Sequence, residues 1–175
     1  MGTGTGIISL FLKLVANELP NFNPKIYASD ITKEAIYCAL ENKKLNQIEG
    51  KIHYIQSDLF KSFPRNLMHK FNVIIFNPPY LPSLEIQAEK KRKIKDLSWD
   101  GGNKGYEVLI EFFNQVRPFL STNNISLIYF ITSNRINIRF ISKIINKIGF
   151  QMSELKKIHY FFEDIILNRA ILTQY

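Results

Sequence analysis

The chain of 175 residues holds a single cysteine, Cys38. One thiol forms no internal disulfide, which excludes a stapled secreted scaffold and points to a reducing compartment. It also leaves no cysteine set for zinc. The three histidines, His53, His69 and His159, stand at no metal-ligand spacing, so no metal is expected. Glycine (8) and proline (7) are too few for a collagen-like or low-complexity chain. No apolar run approaches the ~20 residues that cross a bilayer, and no membrane association is expected. The opening Met1-Gly2-Thr3-Gly4 lacks the basic stretch of a signal peptide. Gly6 stands where an N-myristoylation pattern needs Ser or Thr. No Gly-x-Ser-x-Gly nucleophile elbow occurs, and Cys38, mid-helix among apolar residues, reads as an inert core thiol.

Acidic residues are also scarce: 15 against 23 Lys and Arg, a net charge of +8. That excess favours acidic partners such as RNA or a ribonucleoprotein, although Lys, Asn and Ile are used heavily throughout, as coding composition alone would produce. The run Glu89-Lys90-Lys91-Arg92-Lys93-Ile94-Lys95 reads either as a solvated loop or as a contact for nucleic-acid phosphates. At 46% hydrophobic and 22% charged residues, the composition is that of a globular domain, and the length suits one domain spanning 1–175.

Along the chain, helix and strand patterns alternate. Ile7, Leu10, Phe11, Leu14 and Val15 form a helical stripe within 6–19, ended by Pro20 and Pro24. A short strand follows at 25–29. Thr32 caps a helix whose inward face is Ala35, Ile36, Ala39 and Leu40. Residues 51–56 read as a strand. Residues 71–76 form a near-continuous apolar run, as a strand covered on both faces requires. After a long irregular stretch, a helix is expected at 103–119 with Val108, Leu109, Phe112, Phe113 and Val116 inward. A buried strand at 124–132 follows, then a helix at 135–148 with Phe140, Ile141, Ile144, Ile145 and Ile148 on one side. Two apolar runs, 151–162 and 165–173, read as an antiparallel hairpin turning at Glu163-Asp164. The fold class is therefore α/β: a mostly parallel twisted sheet, helices on both faces, and an antiparallel C-terminal hairpin. In such sheets ligands bind beyond the carboxyl ends of the strands, so the residues that end each strand come first.

Gly2-Thr3-Gly4-Thr5-Gly6 opens the first helix; glycines turn tightly and let a ligand approach, and a helix N-terminus favours negative groups. By itself this is also an ordinary glycine turn. Asp30 ends the next strand, where an acid accepts from both hydroxyls of a ribose or, alternatively, caps the following helix. Asp58, in Ser57-Asp58-Leu59, suits an exocyclic amine as well as it suits a surface turn. Asn77-Pro78-Pro79-Tyr80, at the end of the buried strand, is the most specific signal. The Asn77 amide oxygen and the Pro78 carbonyl are two acceptors for a planar –NH2 group, and Tyr80 offers it a flat face.

With these motifs in this order, the chain resembles a class I S-adenosylmethionine-dependent methyltransferase. Within that class it is similar to the HemK-like glutamine methyltransferases, and most to the eukaryotic and archaeal branch that modifies class I translation termination factors. Trp99-Asp100-Gly101-Gly102-x-x-Gly105 adds to the similarity. The resemblance implies S-adenosyl-L-methionine as cofactor and S-adenosyl-L-homocysteine as product. It implies cofactor contacts from Gly2, Thr3, Gly4, Gly6, Asp30, Asp58, Leu59 and Asn77. It implies Asn77, Pro78, Pro79 and Tyr80 at the substrate, with Asn77, Pro78 and Tyr80 carrying catalysis. It further implies a strand order 3-2-1-4-5-7-6 and a small zinc-binding activator subunit paired to the strand at 51–56, with Ile52, Tyr54 and Ile55 adding apolar surface. The expected location is the cytoplasm, with the nucleus as the alternative. The family carries a strand ending in an acid just ahead of the glycines, and a helical segment before that. This chain begins within the loop, so the expectation is a fragment lacking its central strand. Other readings are an adenine amino-group methyltransferase acting on DNA or RNA, a lysine or other protein methyltransferase, a nicotinamide dehydrogenase, which leaves Asn77-Pro78-Pro79-Tyr80 without a role, and a non-catalytic binding subunit.

Overall fold

The computed structural model describes residues 1–83 and 97–173. The basic run 89–95 lies outside the described residues. The chain forms two compact units, Met1–Phe63 and Pro64–Tyr175.

In the first unit, α1 (Ile7–Glu18) precedes β1 (Ile26–Asp30), then α2 (Lys33–Leu45) and β2 (Ile52–Gln56). The two strands are parallel, in register from Ile26–Ile52 to Asp30–Gln56. Thr32 caps α2, its side chain accepting from the Ala35 N–H at 3.3 Å. Glu34 in the first turn and Lys43 and Lys44 in the last complement the helix dipole. Leu10, Ile26, Ala28, Ile48 and Ile52 form the core, with Leu12 and Tyr54 against it. Two expectations are corrected here. Of the α1 stripe only Leu10 is deeply buried, beside Ser9; Ile7, Phe11 and Leu14 are exposed. A helix lying on a two-stranded sheet presents too narrow a contact for a whole stripe. Ile52 and Tyr54 are not outward apolar surface either. Strand alternation turns both into the core, while His53 faces the other way and stacks on Tyr27.

The second unit holds β3 (Val73–Phe76), α3 (Glu107–Val116), β4 (Leu127–Ser133), α4 (Ile138–Lys147), β5 (Phe150–Tyr160) and β6 (Glu163–Leu172). Its sheet runs β3-β4-β6-β5. β3 and β4 are parallel, as a crossover through α3 allows, and β6 is antiparallel to both β4 and β5. Numbered as in the expected order, the strands present appear as two of its runs, 3-2 in the first unit and 4-5-7-6 in the second. The core is aromatic: Phe113 meets Phe112, Phe130 and Phe150 edge-on, with centroids 5.2–5.3 Å apart. Such pairs add about 0.5–1.5 kcal/mol each beyond burial.

Leu109, Phe112, Phe113 and Val116 of α3 are inward, as their spacing predicts. In α4, Ile141 and Ile145 are buried, but Phe140 is half exposed and rests on Tyr106 at the rim. The hairpin does not turn at Glu163-Asp164. Both acids lie in β6, opposite Tyr160 and His159, and the turn is Phe161-Phe162, with Phe161 at φ 54°. Asp164 is held in the strand by His159 Nδ1 at 2.9 Å and Lys157 Nζ at 3.7 Å.

Candidate active site

In the first unit the chain enters α1 through three glycines with left-handed backbone, Gly2 (φ 61°), Gly4 (φ 52°) and Gly6 (φ 87°). The Thr3 N–H donates to the Ser29 carbonyl at 2.9 Å, fastening the loop to the end of β1. The Gly4 N–H donates to Asp30 Oδ2 at 3.0 Å, while Asp30 Oδ1 accepts from the Thr32 N–H and hydroxyl. Asp30 thus reaches the glycine loop and braces Thr32, the residue that caps α2. A carboxylate has about four acceptor positions; three are met by the Gly4 and Thr32 donors, and the Met1 N-terminus, when protonated, also acts on Asp30. The two inner glycines are glycine for different reasons. A Cβ on Gly6 would stand 2.9 Å from the Ala39 Cβ, so packing excludes it; a Cβ on Gly4 would meet nothing within 4 Å. The space over Gly4 is open.

The Ser57 N–H donates to the Asp30 carbonyl at 2.8 Å, which brings the turn after β2 to the end of β1. Asp58 in that turn is exposed and paired with Lys61 at 2.6 Å. An exposed pair of this kind is worth about 0–1 kcal/mol, so Asp58 exchanges Lys61 for another donor at little cost. Leu59 is buried at φ 49°, uncommon for a residue with a Cβ, and holds a fixed turn. Open room over Gly4, a carboxylate with acceptor capacity, and a second acid in a pinned turn fit a nucleoside with a sulfonium side arm.

In the second unit, Asn77-Pro78-Pro79-Tyr80 leaves the carboxyl end of β3. Asn77 is exposed and Pro78 buried, so the turn is anchored at its second residue. The Tyr80 phenol is pushed above its ordinary pKa, first by burial and then by the negative charge of Glu163. It is a neutral ring at physiological pH.

The support for this turn is a part whose role the sequence did not disclose. The Leu81 N–H donates to the Trp99 carbonyl at 3.0 Å, and the Gly101 N–H donates to the Leu81 carbonyl at 2.9 Å. The Ser83 N–H donates to the Gly102 carbonyl at 2.8 Å. A Cβ on Gly101 would stand 2.6 Å from the Pro79 carbonyl oxygen, and one on Gly105 2.8 Å from that of Tyr80. The glycines of Trp99-Asp100-Gly101-Gly102-x-x-Gly105 are therefore the floor on which the proline turn lies. The available signal is three glycines in the five residues after a Trp-Asp pair.

Site residues from the sequence thus fall into two groups. Gly2, Thr3, Gly4, Gly6, Asp30, Asp58 and Leu59 lie in the first unit; Asn77, Pro78, Pro79 and Tyr80 lie in the second. Among the described residues no His, Cys, Asp and Glu cluster could hold a metal, and no helix is long and apolar enough to cross a membrane.

A glycine loop opening α1, acids at and just beyond the ends of β1 and β2, and an Asn-Pro-Pro-Tyr turn after β3 fit a class I methyltransferase fold, and solved structures agree. The chain matches the E. cuniculi Mtq2–Trm112 complex, described as responsible for methylation of the eRF1 termination factor, with a TM-score of 0.57 at 16% identity. The match covers 93% of this chain and 94% of that one. The chain belongs to the methyltransferase small domain family, which residues 1–96 match. A relative in Methanocaldococcus jannaschii that carries a protein N5-glutamine methyltransferase name is 36% identical over 125 residues, 71% of this chain. The human methyltransferase HEMK2 is 31% identical over 153 residues, 86% of this chain. The matches span 56% and 66% of those two relatives' own lengths.

Proposed function

We propose that this protein transfers a methyl group from S-adenosyl-L-methionine to a glutamine side-chain nitrogen of a class I translation termination factor, in the cytoplasm. One observation carries the reading: Asn77-Pro78-Pro79-Tyr80 at the carboxyl end of β3, held from beneath by Gly101 and Gly105. The names of the human and archaeal relatives and of the E. cuniculi complex support it.

An amide nitrogen is a poor nucleophile because its lone pair is delocalised into the carbonyl. The Asn77 side-chain oxygen and the Pro78 carbonyl accept its two hydrogens and so aim the nitrogen. The Tyr80 ring packs on the flat amide. Asp30 and the glycine loop bind the cofactor's ribose side, with Asp58 and Leu59 at the adenine. The cofactor, when bound, supplies an electrophilic methyl on a sulfonium. Orientation of this kind contributes up to about 7–11 kcal/mol, and the proton leaves afterwards, so no dedicated base is required.

A small partner subunit, bound along the open edge of β2, completes the working protein in this reading. The test is to incubate the protein with methyl-labelled S-adenosyl-L-methionine and a termination factor, with RNA and DNA as parallel acceptors. Label on a glutamine of the factor is expected. Label on adenine of the nucleic acid instead, or on no acceptor, refutes it.

A further inference from the structure

Beneath the Asn-Pro-Pro-Tyr turn, Asp100 is only 2% exposed. Its Oδ1 accepts the Ser83 hydroxyl at 2.7 Å and the Gly102 N–H at 2.8 Å. One oxygen therefore ties the exit of the turn, at Ser83, to the glycine floor, at Gly102. The backbone around it follows the same line: Leu81 and Asp100 form a parallel bridge. Burying a carboxylate is costly unless donors meet it, and both of these donors belong to the loop segments rather than to a helix or the aromatic core. The Gly102 N–H is local to Asp100, and closing the turn on its floor is what brings the Ser83 hydroxyl.

We propose that Asp100 is a positioning residue for the acceptor site: it sets the path of residues 79–83, and through it the stance of the Pro78 carbonyl and the Tyr80 ring. It touches neither cofactor nor acceptor. The proposal rests on the reading of Asn77–Tyr80 as the acceptor site, and it adds a residue to that site. A displacement of about 1 Å in a positioning element costs on the order of 100-fold in rate. The residues assigned to the cofactor, the glycine loop and Asp30, do not include Asp100, so cofactor affinity is expected to be independent of it.

The experiment uses the full chain with Asp100→Ala, Asp100→Asn and Ser83→Ala. Turnover on the termination factor, cofactor affinity by calorimetry, and amide hydrogen exchange at Leu81 and Ser83 are read together. Asp100→Ala is expected to lose about 100-fold in kcat with cofactor Kd unchanged, and with faster exchange at Leu81 and Ser83. Asp100→Asn, whose amide oxygen can accept both hydrogen bonds, is expected to recover most of the rate. A residue that matters only for folding gives no such recovery pattern at a temperature where all variants are folded. Should Asp100→Ala fail to fold, Ser83→Ala removes a single bond from a half-buried side chain and is expected to show a smaller fall in kcat with the same exchange change. Unchanged turnover in folded Asp100→Ala, an Asn variant no better than Ala, or unchanged exchange in Ser83→Ala overturns the proposal. A wild-type protein that methylates no glutamine refutes the function instead, while exchange at Leu81 and Ser83 still decides whether Asp100 holds the turn.

Discussion

Asp30 shows how one side chain serves a fold and a site together. Its two oxygens hold the Gly4 N–H and the start of α2, so removing it frees the glycine loop as well as deleting a cofactor acceptor. Asp30→Ala is expected to weaken S-adenosyl-L-methionine binding by roughly 1.5–3 kcal/mol, the worth of a charge-assisted hydrogen bond. Asn77→Ala is expected to abolish transfer with binding nearly intact, because Asn77 serves the acceptor. Calorimetry on both variants checks this pair; the opposite pattern would reverse the assignments. Tyr80 offers a second check. Burial and Glu163 raise its phenol above 10, so the folded state favours the neutral ring. Ionisation opposes folding as pH climbs from 10 through the folded value. The difference in tyrosinate absorbance between wild type and Tyr80→Phe is expected to titrate above pH 10, and Glu163→Gln to move that midpoint down. A midpoint at 10 or below would contradict the environment described for this ring.

Among the elements, the glycine segments separate packing from ligand access. Gly101→Ala would drive a Cβ into two carbonyl oxygens, Gly105 at 2.4 Å and Pro79 at 2.6 Å, and Gly105→Ala adds a side chain at φ 80°. Each is expected to cost about 1–3 kcal/mol or more, read as a lower thermal midpoint. Gly4→Ala, facing open space at φ 52°, costs only its backbone strain of about 1–2 kcal/mol, and its main effect should fall on cofactor affinity. Equal loss of stability from Gly4→Ala and Gly101→Ala would argue against this division. The α3 helix, the β3 and β4 strands, the Thr32 cap and the positions of Asp30 and Asn77 at the ends of β1 and β3 were legible because periodicity and local chemistry specify them. The burial of α1 was not, since a stripe says nothing about how wide a surface faces it. The hairpin turn differs from the expected one because a charged pair is not by itself a turn signal: Asp164 finds His159 and Lys157 within the ladder, and Glu163 lies near Arg135. The supporting role of residues 99–105 depends on contacts with a segment some 20 positions earlier, which no local pattern reveals.

At the scale of the whole molecule, the open question is what lies along β2. Among the described residues β2 pairs only with β1, which leaves one edge of unsatisfied ladder groups, the arrangement that another strand can extend. The Ser57 N–H bonds to β1 through the Asp30 carbonyl. In a parallel ladder alternate residues face the same neighbour, so His53 and Ile55 face β1, while Ile52, Tyr54 and Gln56 direct their N–H groups to the open edge. Ile52→Lys is therefore a poor probe of a partner, because that side chain is in the core at 7% exposure and the unit would unfold. Gln56 has an exposed side chain and an edge-facing N–H, and an edge strand tolerates proline. Gln56→Pro is expected to leave the thermal midpoint nearly unchanged. It should weaken a complex with a small partner subunit by roughly 1 kcal/mol through the lost ladder bond, and further through the ring that then blocks the partner's backbone. Co-purification and size-exclusion chromatography of wild type and variant read this directly. A complex that survives Gln56→Pro undiminished would place the partner on another surface. A wild-type protein that is monomeric and fully active alone would remove the need for a partner.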